Sequence, residues 1–418
     1  MIGPLQLPSK TRISIVGVGY VGLPLAVALA DAGYSVTGYD TNASRLEELK
    51  RCNPSVETIT PEELRRALEA GTFVPTSDPS VLSESRVVVI AVPTPLSPDR
   101  TPDTSAVESA AELVAEHAAA GTLVVLESTS YPGTTRSLLL PKLEGTLGRV
   151  GHDFYLATVP ERIDPGNRRY NLATIPRLIG GVTAACSEMA RAFYARIVTE
   201  CHVVSSPEVA EMAKLLENAF RNVNIALASE LAILCERAGL NVYEIVRAAA
   251  TKPFGFMSFV PGIGVGGECI PVDPVYLTWY ARRAGAPMLL LERAIETNES
   301  MPLHAMERIE ATLRADGLGL DGARILVLGV SYKPDVADMR NSPALAVMRE
   351  LQRRGALLSY HDPLVPSLKL GDTALTSQEL TRDVLRDASL CVVLTAHSDL
   401  DQPRIRQLTP RFLKLVSP

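Results

Sequence analysis

A chain of 418 residues with 46% hydrophobic content is too long for one ordinary domain and rich enough in apolar side chains for two cores. Its formal net charge of −6, with the signs interspersed, leaves no basic footprint for a nucleic acid partner. The six cysteines form no CxxC pair and the histidines do not cluster, which argues against a metal site or disulfide framework and for a reducing compartment.

In chain order, the opening MIGPLQLPSKTR holds no apolar leader core. The longest apolar runs, such as 87–92, fall far short of the roughly 20 residues of a membrane span. The expectation is a cytoplasmic protein with no membrane partner. RISIVGVGYVGLPLAVALADAGYSVTGYD (12–40) reads as a buried strand, a glycine turn, a helix and a second strand closing on Asp40. Gly17, Gly19 and Gly22 make GxGxxG between that strand and helix. The first glycine permits the tight turn, the second lets backbone approach a pyrophosphate, and the third lets the helix pack on the strand. Asp40 can accept from a ribose 2′-hydroxyl and would repel a 2′-phosphate, so NAD is expected rather than NADP. Arg45 reads either as a contact at the adenosine edge or as a solvated helix arginine.

VVVIAV (87–92) and LVVLES (123–128) continue the pattern of short strands between helical stretches, predicting a parallel sheet covered on both faces. From Glu208 to Ala238 there is neither glycine nor proline, and the apolar spacing predicts a long connecting helix of the kind that supplies a dimer surface. Within it Lys214, Asn218 and Asn222 recur every four residues on one face, reading either as a functional stripe or as a solvated face. PGIGVGGECIPVDP (261–274) sets Cys269 in a glycine-rich loop, where it could be a buried structural thiol or a nucleophile. Near the end RILVLG echoes RISIVG, and RGALLSYHD parallels AGYSVTGYD, each with glycine seven residues before its aspartate; CVVLT parallels VVVIAV. The predicted fold is α/β, two doubly wound Rossmann-like domains joined by a long central helix. The second half carries GVSYKPDVADMR in place of GxGxxG, so the halves are expected to bind different groups.

GVGYVGLPLA, VPTP, ESTSYPGTT, VPERIDPGN, AEMAKLLENAFRNVN, GVGGECIPVDP and GVSYKPDVADMRNSPA, in this order, closely resemble the UDP-glucose and UDP-N-acetylhexosamine 6-dehydrogenase family. The resemblance implies an NAD-dependent four-electron oxidation of a nucleotide-diphosphohexose at C6, through a thiohemiacetal and a thioester on Cys269. It implies that Lys214 and Asn218 stabilise oxyanions, that Glu161 and Asp273 handle protons, and that Thr129 helps to hold the hydrolytic water. Either acid could be the base. On residues alone, Glu161 could instead cap a turn and Asp273 could start a helix. Tyr20 and Val21 in the glycine turn, Thr94, Thr129 and Arg340 are implied to contact the cofactor. Arg162, Lys252, Phe259, Gly267 and Lys333, with Glu161, Lys214 and Asn218, are implied to contact the nucleotide sugar.

The same resemblance divides the chain into an NAD-binding domain (1–205), a central helical domain with the cysteine loop (206–312) and a nucleotide-sugar-binding domain (313–418). It implies a homodimer or higher homo-oligomer. TKPFGFMSFVPGIGVGGECIPVDP resembles the N-acetylhexosamine branch more than the UDP-glucose branch, which typically has lysine where this chain has Val272. Glu268 and Ile263 replace the histidine and proline common in that branch, and Lys252 is the nearest counterpart of an arginine reached across from a second subunit. LTPRFLKLVSP lacks the family's DTRG-type closing strand. The substrate is therefore left as a UDP-hexose, N-acetylated or not, or dTDP-glucose. A two-electron dehydrogenase of hydroxy acids and a catalytically silent nucleotide-sugar sensor are the competing readings.

Overall fold

A computed structural model describes residues 11–416 apart from 55, 57, 165, 166 and 168. The reading of residues 1–10 and the Pro165–Gly166 part of VPERIDPGN lie outside the described residues. The chain divides into two compact units, one running to Glu217 and including Trp279–Ala284, the other comprising Asn218–Thr278 and everything from Gly285 onward.

The first unit is built on β1 (Arg12–Val16), β2 (Ser35–Tyr39), β3 (Phe73–Thr76), β4 (Val87–Ile90), β5 (Leu123–Leu126), β6 (Tyr155–Thr158), β7 (Arg177–Gly181) and β8 (Cys201–Val203). They form one sheet in the order β3-β2-β1-β4-β5-β6-β7-β8. All neighbours are parallel except β6 and β7. The strands carry apolar residues on both faces because both faces are covered. Ile13, Ile15, Val87 and Val89 enter one core, and Val16, Val88, Ile90 and Leu126 enter the other.

The second unit holds β9 (Arg324–Leu328), β10 (Leu357–His361), the antiparallel pair β11 (Ser367–Leu370) and β12 (Thr373–Thr376), β13 (Leu390–Val393) and β14 (Phe412–Lys414). Its main sheet is parallel in the order β10-β9-β13-β14. Ile325 and Val327 point into one core, Leu326 and Leu328 into the other. RILVLG, ALLSYHD and CVVLT thus supply strands corresponding to those of the first half. Gly33 and Gly355, the paired glycines before the aspartates, both take left-handed backbone, with φ of 88° and 84°. LTPRFLKLVSP contributes β14 even without the DTRG-type sequence, since Phe412–Lys414 pairs in parallel with β13. The glycine- and proline-free stretch forms the predicted helix, Pro207–Ala238. No helix among the described residues is long and apolar enough to cross a membrane.

Candidate functional site

β1 lies between β2 and β4, the point where the strand order of the first sheet reverses and the carboxyl ends of the strands leave a crevice. Gly17 closes β1 at φ 93°, its N–H donating to the Tyr39 carbonyl at 2.8 Å. A Cβ there would meet the Ala91 carbonyl oxygen at 2.6 Å, so only glycine allows this turn against the end of β4. A Cβ at Gly22 would fall 1.9 Å from the Gly17 carbonyl oxygen, whereas one at Gly19 meets nothing within 4 Å. Packing demands the first and third glycines. The second leaves backbone open to a ligand, and Tyr20 and Val21 complete the turn ahead of the helix Gly22–Asp31.

Asp40 accepts from the Val18 and Asn42 N–H groups at 3.1 and 2.9 Å, which orients its carboxylate and leaves lone pairs for a ribose hydroxyl. Arg45 packs on the same turn, its guanidinium 3.4 Å from the Val18 carbonyl oxygen. Thr94 and Thr129 follow β4 and β5, and the Ser128 hydroxyl pins these two strand ends together by donating to the Val92 carbonyl at 2.7 Å. The glycine cradle and the oriented acid fit the adenosine and pyrophosphate portion of NAD.

Glu161, just beyond β6, is buried and held by three donors. Its Oε1 accepts from the backbone of Arg162 and Ile163 at 2.5 and 2.6 Å, and its Oε2 from Arg177 Nη1 at 2.9 Å. Arg177 is itself buried and lies 3.8 Å from Glu127 Oε1, which accepts from the Tyr194 hydroxyl at 2.6 Å. Burial, with a smaller push from the charge of Glu161, raises the Glu127 carboxyl to about 7 against the opposing pull of Arg177. Arg162 directs its guanidinium to Glu217 at 2.6 Å and to the Pro176 carbonyl at 2.8 Å. On the long helix Lys214 is buried, and Glu211 accepts from Gly133 N, Thr135 N and Thr135 Oγ1 at 2.6, 2.9 and 2.7 Å, fastening the helix to the ESTSYPGTT turn.

In the second unit the glycine-rich segment ends at Gly267, and Cys269 is the first residue of the helix Cys269–Arg283. Cys269 is therefore an exposed thiol at a helix N-terminus rather than a residue within the loop. Asp273, one turn on, is buried and accepts from Asn218 Nδ2 at 2.5 Å. Asn222 donates to the Ile270 carbonyl at 3.2 Å, and Asn298 in turn donates to Asn222 Oδ1 at 3.1 Å. The polar stripe on the long helix is not a solvated face. It holds the first turn of the cysteine helix.

Glu268 pairs with Arg340, which Asp338 also grips through Nε at 3.0 Å and Nη2 at 2.6 Å. The acid beside the thiol thus shares one arginine with Asp338. Gly267 N donates to the Arg340 carbonyl at 2.9 Å, and Asn341 donates to the Gly267 carbonyl at 3.0 Å, so the cysteine loop and the 338–341 segment form one structure. Lys252 is exposed, its ammonium 4.9 Å from the Phe254 ring centroid; Phe259 meets Phe220 edge-on at 5.9 Å.

Lys333 lies in the turn that corresponds to the first unit's glycine turn. Asp362 stands where Asp40 does, accepting from Val330 N at 2.8 Å, but it is buried and takes a hydrogen bond from His397 Nε2 at 3.0 Å. Burial opposes ionisation of Asp362, yet hydrogen bonds from His397, Val330 and Leu364 outweigh it and hold the carboxyl below its usual range. His397 Nδ1 accepts from Asp335 N at 3.0 Å. The second turn therefore has its acid plugged by a histidine. Glu127, Arg177, Glu211, Asp338 and His397 were not singled out by sequence reading. Only the doubled strand pattern pointed to Asp362, and the others are scattered single residues.

The UDP-glucose/GDP-mannose dehydrogenase family's NAD binding domain matches residues 11–198, its central domain residues 208–300, and its UDP binding domain residues 326–415. The UDP-N-acetyl-D-glucosamine 6-dehydrogenase of Pseudomonas aeruginosa is 35% identical over 356 residues, 85% of this chain and 83% of that protein. The structure of the UDP-D-ManNAc dehydrogenase of Pyrococcus horikoshii superposes with a TM-score of 0.88 at 34% identity, covering 97% of this chain and 96% of the other. That of a UDP-glucose dehydrogenase from Pyrobaculum islandicum gives 0.86 at 29% identity, covering 99% and 96%. NAD is thus the cofactor, and the chain belongs to the UDP-glucose/GDP-mannose dehydrogenase family.

Proposed function

We propose that the enzyme oxidises the C6 hydroxymethyl group of a nucleotide-diphosphohexose to a carboxylate in two successive two-electron steps, with the carbon held on Cys269 between them. NAD, when bound, accepts one hydride in each step. Loss of the hydroxyl proton and a hydride turns the alcohol into an aldehyde. The Cys269 thiolate adds to the aldehyde carbon and forms a thiohemiacetal. Loss of a second hydride and of its hydroxyl proton leaves a thioester. Water, deprotonated by Glu161 or Asp273 and steadied by Thr129, adds to that thioester and expels the thiolate, leaving the acid. Lys214 and Asn218 stabilise the oxyanions formed on the way.

The observation that carries this reading is the exposed Cys269 at the start of a 15-residue helix, with Asp273 one turn on and bonded to Asn218. Residues 1–205, 206–312 and 313–418 are proposed to serve as NAD-binding, central and nucleotide-sugar-binding domains, with Lys333 at the nucleotide end and Arg162, Lys252, Phe259 and Gly267 toward the sugar. Arg340 is proposed to reach the cofactor. The names of the relatives and the TKPFGFMSF segment support a UDP-N-acetylhexosamine as substrate, ahead of UDP-glucose or dTDP-glucose. An NAD cofactor and six cysteines in no disulfide suit the cytoplasm.

A panel of UDP- and dTDP-hexoses, with NADH counted per sugar oxidised, tests the proposal. Two NADH per sugar are expected on the best substrate, and Cys269→Ser should lower acid formation about a thousandfold. Release of free aldehyde with one NADH would overturn the thioester route and favour a hydroxy-acid-type dehydrogenase. Tight binding of NAD and sugar without any NADH would make the chain a sensor.

A further inference from the structure

We infer that Glu127 is a positioning residue that stores a proton in the interior of the first unit, leaving the whole charge of Arg177 to Glu161 and so keeping Glu161 an ionised base. The inference rests on the proposed role of Glu161 as an acid–base group. The two carboxylates and one guanidinium occupy a single buried cluster: Glu127 is 0%, Arg177 1% and Glu161 8% exposed. With both acids ionised the cluster would carry an uncompensated negative charge away from water, a costly state that one retained proton removes.

Geometry decides which acid keeps the proton. Glu161 receives three N–H donors, two from backbone and one from Arg177, an environment that favours a carboxylate. Glu127 receives one, from the Tyr194 hydroxyl, and lies 3.8 Å from Arg177, beyond hydrogen-bond reach. Its Oε2 has no hydrogen-bond partner among the described residues. The charged and titratable groups that face Glu127 are Arg177 from β7, Glu161 beyond β6 and Tyr194 from the helix Ala184–Tyr194; Cys201 on β8 also feels the charge of Arg177. Burial acting on Glu127 raises its carboxyl to about 7, which agrees with a proton retained at neutral pH.

The coupled acids then titrate in separate macroscopic steps, the upper of which belongs mainly to Glu127. As pH rises through the upper step, Glu127 ionises and competes with Glu161 for Arg177. The protonation state of a residue with no solvent contact thereby tunes the base that does the chemistry.

The test is the pH profile of kcat/KM for the NAD-saturated enzyme, together with an infrared difference spectrum of its protonated carboxyl band. Wild type should show the band near neutral pH and lose it across the upper step. Glu127→Gln should lack the band, keep neutral-pH activity within about threefold, retain the lower kinetic step and lose the upper one. Tyr194→Phe, which removes the donor that favours ionised Glu127, should move the band's titration to higher pH. Absence of the band in wild type, or a Glu127→Gln profile with both steps intact, would overturn the inference. If the band behaves as described but Glu161→Gln remains fully active, the charge arrangement stands and the role of Glu161 falls instead.

Discussion

At the residue scale, the informative feature of Glu127 is the mismatch between its chemistry and its surroundings. Its native carboxyl titrates at about 7, above the ordinary 4.5, so between those values the folded state binds a proton that the unfolded chain has already released. Stability from this group is complete below about 4.5 and declines as pH rises to about 7, where the decline levels off. Glu127→Gln keeps the neutral form at every pH, so the Tm of the variant minus that of wild type should grow from pH 5 to about pH 7 and then level off in thermal unfolding scans. None of this was legible from ESTSYPGTT, in which Glu127 is one polar residue at a strand end. Its state depends on Arg177 and Tyr194, which lie 50 and 67 positions away along the chain. Cys269 shows the complementary case. Its residue type and glycine-rich approach were visible in sequence, but whether it sat within a loop or opened a helix depended on where Pro271, Asp273 and Pro274 take up helical backbone.

At the scale of elements, the two glycine turns show how one local plan yields two different surfaces. In each unit a left-handed glycine closes the first strand, and the next backbone N–H is held by the aspartate that ends the neighbouring strand. The first aspartate is only partly buried. The second is capped by His397, whose other ring nitrogen anchors Asp335 in the SYKPD segment. His397 therefore fixes the shape of the loop that carries Lys333. His397→Ala should raise KM for the nucleotide sugar about tenfold, equivalent to about 1.4 kcal/mol, with kcat changed far less; steady-state kinetics at saturating NAD would show the split. Loss of kcat with KM intact would mean that the loop does not report on nucleotide binding. Sequence periodicity located both turns, because strand and helix patterns are local. It could not locate the histidine, which arrives from beyond β13 with no pattern of its own.

At the scale of the whole molecule, the long helix keeps apolar side chains in solvent. Phe220, Leu227 and Leu234, seven residues apart, are 47%, 64% and 62% exposed, as are Leu289 and Leu290 at 70% and 74%. A seven-residue apolar repeat on one helix is the pattern of a helix that packs against another. This supports the homo-oligomer expected from the sequence. Leu227→Glu should shift the protein to monomer in sedimentation experiments, with little effect on the Tm at low concentration; an unchanged sedimentation coefficient would place the interface elsewhere.

The sequence by itself determined the two α/β halves, the helix between them, the dinucleotide turn with its NAD preference, and the family to which the chain belongs. These follow from periodicity, glycine placement and ordered motifs, all of which act over a few neighbouring residues. Only the tertiary structure decided that the Asn218 and Asn222 face is engaged with the cysteine helix, that Arg340 pairs with Glu268, and that Glu161 shares a buried arginine with a second acid. Those outcomes depend on burial and on charges brought together from distant parts of the chain, and the free energy of an ion is set by what surrounds it in space.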